Sequence, residues 1–139
     1  NRILKEMNRL HTREEYFELI DNIRRIIPEC SISQDMISGF PTETEQDHED
    51  TLSLMEHVKY NFGFMYKYSE RPGTMAGRKM DDDVPEETKK RRLNEIVQLQ
   101  RQHCLHRTRQ NLNKTVEILI EKPSKKSDLQ WSCTDGCWP

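Results

Sequence analysis

ISQDMISGFPTETE, residues 32–45, carries the end of a strand, a break and the start of a helix within fourteen positions. The run Cys30 to Ile37 predicts a short strand with Ile32 and Met36 on one side, because strand side chains alternate. Gly39-Phe40-Pro41 breaks it. Thr42 with Glu45 then has the spacing of a capping box, in which each side chain satisfies a backbone N–H of the first turn. The helix so opened places Leu52, Met55 and Val58 inward. A second strand is predicted at Phe62 to Tyr68. Two strands joined by a helix imply a parallel β-α-β unit with a right-handed crossover.

Upstream, Thr12 and Glu15 form another predicted capping box. Tyr16, Leu19, Ile20, Ile23, Ile26 and Ile27 follow at three- and four-residue steps as one apolar stripe, and Pro28 ends it. A short helix is compatible with residues 1–9. Downstream, 69–83 reads as a loop, and Pro85 with Glu86 and Glu87 suits the positive end of a long helix. That helix is expected to reach about Asn111 with Leu93, Ile96, Val97 and Cys104 inward. Thr115 to Glu121 predicts one more strand, and the tail from Pro123 is rich in Ser and Lys.

Composition limits what such a chain can do. It has 139 residues and 22 Lys+Arg against 24 Asp+Glu, a net charge of −2. Leu, Ile, Val and Phe make up 29 of the 139 residues, and Ala76 is the single alanine. That apolar share lies just above the roughly 20% below which disorder is expected. The balanced charge argues against a disordered chain and gives no general case for nucleic-acid binding. No apolar run approaches the ~18 residues of a membrane span, and the opening NRILKEMNRL has no signal-type apolar core. Four cysteines in so charged a chain suit an intracellular setting better than a disulfide scaffold. Two strands make neither a barrel nor a stable open sheet, so the expectation is a piece of a larger α/β fold that self-associates or exchanges strands.

Four places can carry chemistry. In Asp35 to Thr44, Gly39 permits close backbone approach and the helix start offers N–H groups at the carboxyl end of a strand, where α/β folds gather ligands. In Tyr68 to Thr74, Arg71 is a fork-shaped donor and Tyr68 an aromatic platform. Ordinary turn chemistry accounts for both on spacing alone. Lys89-Lys90-Arg91-Arg92 points around a whole helix circumference and reads as a solvated face. Cys133 and Cys137 are two thiolates where a zinc or iron–sulfur site needs more ligands; they could form a metal site only across a dimer. The histidines show no metal spacing, and no P-loop, GxGxxG or nucleophile–base motif is present.

RILKEMNRLHTREEY (2–16), SISQDMISGFPTETEQDHEDT (31–51), FGFMYKYSERPGTMA (62–76) and VPEETKKRRLNEI (84–96) together resemble the radical-SAM tRNA methylthiotransferases of the MiaB type, in the family's order and across residues 1–112. The resemblance implies a cytoplasmic enzyme that methylthiolates C2 of N6-isopentenyladenosine beside the tRNA anticodon, using S-adenosylmethionine and two 4Fe-4S clusters. It implies that 1–112 is the second half of a partial β/α barrel with its long last helix, containing two or three parallel strands. Residues 113–139 then resemble the truncated start of an RNA-binding TRAM domain. Carried over by position, Asp35, Gly39, Phe40 and Glu43 are cofactor-side residues, and Tyr68, Arg71 and Thr74 are substrate-side residues. The family's cluster cysteines have no counterpart here, since Cys30 and Cys104 do not replace them. The chain alone is therefore expected to be inactive. A non-catalytic RNA-binding or assembly module is the alternative, resting on the basic helix and the TRAM-like strand.

Overall fold

The computed structural model describes residues 1–115, 117–125, 127 and 129–135, with the backbone alone for 133–135. In chain order the elements are α1 (Arg2–Glu6), α2 (Arg13–Ile26), β1 (Ser33–Ser38), α3 (Glu45–Val58), β2 (Phe62–Lys67), α4 (Met75–Lys79), α5 (Glu86–Arg109), β3 (Ile118–Pro123) and β4 (Trp131–Asp135). β1 and β2 pair in parallel, Ser33 opposite Phe62 through Ser38 opposite Lys67. α3 makes the crossover between them. The β-α-β unit is present, and the chain is mixed α/β with a small parallel sheet.

The capping box predicted at Thr12 and Glu15 starts α2, with both reciprocal bonds made. At the next helix the cap falls two residues later than expected. Thr44 and Asp47 form the box, and Thr42 sits before it with φ +68°. A tight turn closed by the Glu43 N–H on the Phe40 carbonyl (3.0 Å) takes up the Pro41-Thr42 step and delays the helix. Residues 69–83, read as a loop, contain α4, whose N-cap Thr74 accepts a bond from the Gly77 N–H.

The core lies on one face of the parallel pair. Met36 from β1 meets Ile20 of α2, Met55 and Val58 of α3, Tyr60, and Ile96 of α5. Tyr60 is fully buried; its hydroxyl bonds that of Tyr16 at 2.9 Å, and its carbonyl accepts from the Gln100 amide at 3.0 Å. A buried phenol needs such a partner, because an unpaired hydroxyl out of water is costly. The apolar stripe of α2 is covered only in its middle: Ile20 is buried, whereas Leu19, Ile26 and Ile27 are exposed.

Within α5 the inward line is Lys89, Arg92, Ile96, Gln100 and His103. This corrects two expectations. Leu93 and Val97 are half-buried and Cys104 is exposed, and the basic run is a solvated face only at Lys90 and Arg91, because Lys89 and Arg92 are buried. Helical periodicity is intact, but polar residues occupy most of the buried stripe, so an apolar count cannot find it. The opposite face of the sheet is open. Asp35 and Ile37 of β1 stand exposed beside Phe62, Phe64 and Tyr66 of β2. Phe62 meets Phe64 edge-on at 4.9 Å, and Phe64 stacks on Tyr66 at 6.5 Å between ring centroids.

Among the described residues β3 and β4 form an antiparallel hairpin, with Ile118 opposite Asp135 and Pro123 opposite Trp131. The strand expected at 115–121 thus begins at Ile118, and part of the polar tail pairs with it. Val116, within the predicted strand, and Cys137 lie outside the described residues.

Candidate functional site at the carboxyl ends of the parallel strands

β1 and β2 end together, tied by the Tyr68 N–H to the Ser38 carbonyl at 2.7 Å. The chain then turns at Gly39, whose φ is +76°, and its N–H donates to Glu43 Oε2 at 3.0 Å. A Cβ on Gly39 would lie 2.4 Å from Lys89 Cγ. Glycine is required here twice over, for the backbone angle and for the lysine stem lying against it. Phe40 is buried and meets the Tyr68 ring edge-on at 5.3 Å. Lys89 runs past both, with Nζ 5.3 Å from the Tyr68 ring centre and paired to the Asp82 carboxylate. Burial pushes the Tyr68 phenol up, and the negative charges of Asp82 and Glu70 add to this.

Arg92 closes the loop from the other side. Its Nη1 donates to the Glu43 carbonyl at 3.0 Å and to Glu43 Oε1 at 2.8 Å, while Nη2 reaches Glu45 Oε2 at 3.1 Å. The Arg92 and Glu43 side chains are 5% and 7% exposed, so this pair is desolvated and each partner depends on the other. Thr42 is held as well: its N–H donates to Asp83 Oδ1 at 2.7 Å, and its carbonyl and hydroxyl accept from Arg2 at 2.7 and 2.8 Å. A β-branched residue at positive φ is an outlier that the surroundings must hold in place. Four elements of the sequence converge on one six-residue loop.

The network continues outward along α3 and α5. Arg91 donates to both Glu45 and Glu95, and Glu95 Oε2 lies 2.6 Å from Nε2 of His48, a buried histidine. The His48 hydrogen bond holds the Glu95 carboxyl below its usual range, with Arg91 adding to the effect and burial opposing it. Bonds from Arg91 and then Arg92 do the same to Glu45.

Of the seven residues selected from sequence, the structure brings Gly39, Phe40, Glu43 and Tyr68 into one packed cluster. Asp35 stands apart on the open face, opposite Phe64 in the strand register. Arg71 and Thr74 lie exposed on the following loop, where the Thr74 hydroxyl donates to the Arg71 carbonyl at 2.8 Å while capping α4. Sequence reasoning missed Arg2, Asp82, Asp83, Lys89 and Arg92 as partners of the loop. The i, i+3 spacing of Lys89 and Arg92 was a usable signal, since it puts both on one helix face.

Metal chemistry finds no foothold among these residues. Among the described residues no three His, Cys, Asp or Glu side chains converge on a point that could hold an ion. Cys30 is half-buried before β1 and Cys104 exposed on α5. The side chains of Cys133 and Cys137 lie outside the described residues. The described donor set does not fit an iron–sulfur cluster. The open face, by contrast, offers aromatic rings flanked by the Asp35 carboxylate.

No family profile matches the chain. Individual relatives do. It is 71% identical over 132 residues to the tRNA-2-methylthio-N(6)-dimethylallyladenosine synthase of Flavobacterium johnsoniae and 68% identical to that of Christiangramia forsetii, in each case across 95% of this chain and 27% of the relative. The enzyme of the same name from Bacteroides fragilis is 50% identical over 127 residues, covering 91% of this chain and 28% of its own length. The chain spans just over a quarter of the curated relatives it matches. Over nearly its whole length, then, the chain is similar to one stretch of these tRNA-2-methylthio-N(6)-dimethylallyladenosine synthases.

Proposed function

We propose that the chain is a segment of a cytoplasmic tRNA-modifying enzyme that methylthiolates C2 of N6-isopentenyladenosine beside the anticodon, and that it supplies one wall of that site. The observation that carries this reading is the 71% identity across 95% of the chain to a synthase of that name. The geometry agrees with it: the loop held most firmly is the one at the carboxyl ends of the parallel strands, where α/β folds bind ligands.

In this reading residues 1–112 belong to a partial β/α barrel and 113–139 to a TRAM-like segment. The helices cover the Met36 face of the sheet, so the open face would be turned to the barrel interior. Phe64, Tyr66 and Asp35 on that face would meet the adenosyl part of S-adenosylmethionine, which when bound supplies the hydrogen-abstracting fragment. Gly39, Phe40 and Glu43 act through the loop backbone, fixing its path rather than offering side chains. Arg71 and Thr74, exposed beyond Tyr68, would orient the anticodon stem-loop.

The alternative of a free-standing RNA-binding module draws little support from α5. Lys89, Lys90, Arg91 and Arg92 are all paired with carboxylates, so the basic run presents little uncompensated charge. The test is direct. The chain, incubated with iron, sulfide, reductant and S-adenosylmethionine, is expected to release no 5′-deoxyadenosine; sustained release would show that it carries a complete catalytic centre and overturn the reading of a wall.

A further inference from the structure

A second cluster of donors lies at the other end of the parallel strands. Cys30 and Asn61 precede β1 and β2, and they border a cavity of about 500 Å³ that Arg24, Arg107, Asn111 and Lys114 also line. Arg24 comes from α2 and Arg107 from α5. Each is fixed by backbone carbonyls: Arg24 Nη1 donates to Cys30 O at 2.5 Å, and Arg107 Nε and Nη2 donate to Lys59 O and Val58 O at 2.9 and 3.2 Å. Arg24 Nη2 is buried and meets no acceptor among the described residues.

Burial, and next the positive charge of Arg24, hold the Arg107 guanidinium below its ordinary range. Glu29 is the one carboxylate in the lining; its charge offsets part of this effect at Arg107, yet among the described residues it makes no ion pair with either arginine. Arg24 and Arg107 are thus close enough to repel in a polar lining to which Lys114 adds a third cation, and one buried Arg24 N–H is left without an acceptor among the described residues. A tetrahedral oxyanion would accept from the orphaned Nη2 and screen the two guanidiniums from each other, and a fork-shaped donor is the side chain best matched to it.

We infer that this cavity is a phosphate-binding site, with Arg24 and Arg107 as its donors and Lys114 at its rim. The inference stands apart from the proposed methylthiolation, because it concerns the amino ends of the strands and needs neither cofactor nor cluster. Free phosphate and a backbone phosphate of RNA share the required chemistry.

The experiment follows the side-chain Nε–H signals of the full chain by heteronuclear NMR during titration with inorganic phosphate, at ionic strength held constant with chloride. Saturable shifts at Arg24 and Arg107 are expected, absent with chloride alone, together with a rise in Tm because the ligand binds the folded state. Arg24→Gln is expected to weaken binding about tenfold or more, the effect of losing one charged hydrogen bond; Arg101→Gln, outside the lining, leaves it unchanged. If Arg24→Gln does not fold, Arg107→Gln is read in its place. Competition by an anticodon stem-loop RNA would identify a backbone phosphate as the source, and lack of competition a free phosphate. Non-saturating shifts equal to those in chloride, or saturation that survives in both arginine variants, would mean an adventitious ion only and overturn the inference.

Discussion

At the scale of single residues, two backbone angles and one ion pair carry testable consequences. Gly39 has positive φ and the Lys89 stem against it. Gly39→Ala is therefore expected to cost at least about 2 kcal/mol, summing left-handed strain and overpacking, read as a fall in denaturant midpoint at unchanged slope. Lys59, the C-cap of α3, also has positive φ (51°). Lys59→Gly should stabilise the chain by roughly 0.5 kcal/mol, since glycine takes that angle without a Cβ penalty and loses part of the gain to unfolded-chain entropy. Glu95 is the pH-sensitive member of the network. Its folded value is depressed, so its contribution is fully present above the ordinary 4.5 and is lost as pH falls through the lower folded value. Tm measured downward from pH 5 is expected to drop, and to drop less steeply in Glu95→Gln. A Gln variant with the same slope would detach His48–Glu95 from acid sensitivity.

At the scale of elements, the legible part of the structure was what apolar spacing and caps encode. The Thr12–Glu15 box, the Met36 side of β1, and Met55 and Val58 of α3 were all readable, because each follows a fixed geometric rule. The inner stripe of α5 was legible only at Ile96, because its other buried positions are Lys89, Arg92, Gln100 and His103; the partners of the last three lie in distant segments, and that of Lys89 is Asp82 in the preceding loop. The position of the α3 cap was likewise set by Thr42 being held from Arg2 and Asp83, some forty residues away on either side. Arg92 joins α5 to the loop after β1. Arg92→Gln leaves the Glu43 carboxylate buried without its cation and is expected to cost about 3–5 kcal/mol if the loop cannot rearrange. Hydrogen exchange separates a local from a global effect: the Gly39 amide should exchange at least about tenfold faster, the factor for each 1.4 kcal/mol of lost protection, with Tyr60 and Ile96 amides less affected. Unaltered Gly39 protection would show that Arg92 does not hold the loop.

The whole molecule explains the thin apolar composition. One sheet face is packed and the other presents Phe62, Phe64, Tyr66 and Ile37 to solvent, while α2 leaves Leu19, Ile26 and Ile27 uncovered. Those surfaces suit a neighbour, and the relatives are nearly four times as long as the matched stretch. The chain in isolation is accordingly expected to self-associate, which light scattering would report as a mass above 16.7 kDa; a clean monomer across a concentration series would contradict this. The candidate site was half legible from sequence. Gly39, Phe40, Glu43 and Tyr68 converge, but what fixes them is a set of cations and carboxylates from separate segments, of which only the spacing of Lys89 and Arg92 shows in the sequence.

The most direct test of the account replaces the matched segment of the Flavobacterium johnsoniae synthase with residues of this chain and expresses the chimera in cells lacking that enzyme. Digested tRNA is then analysed by mass spectrometry for 2-methylthio-N6-isopentenyladenosine. The account predicts that the methylthio product is restored, and that Arg92→Gln in the chimera diminishes it. A stable chimera whose tRNA holds N6-isopentenyladenosine alone would contradict the claim that this chain forms a working wall of a methylthiotransferase site.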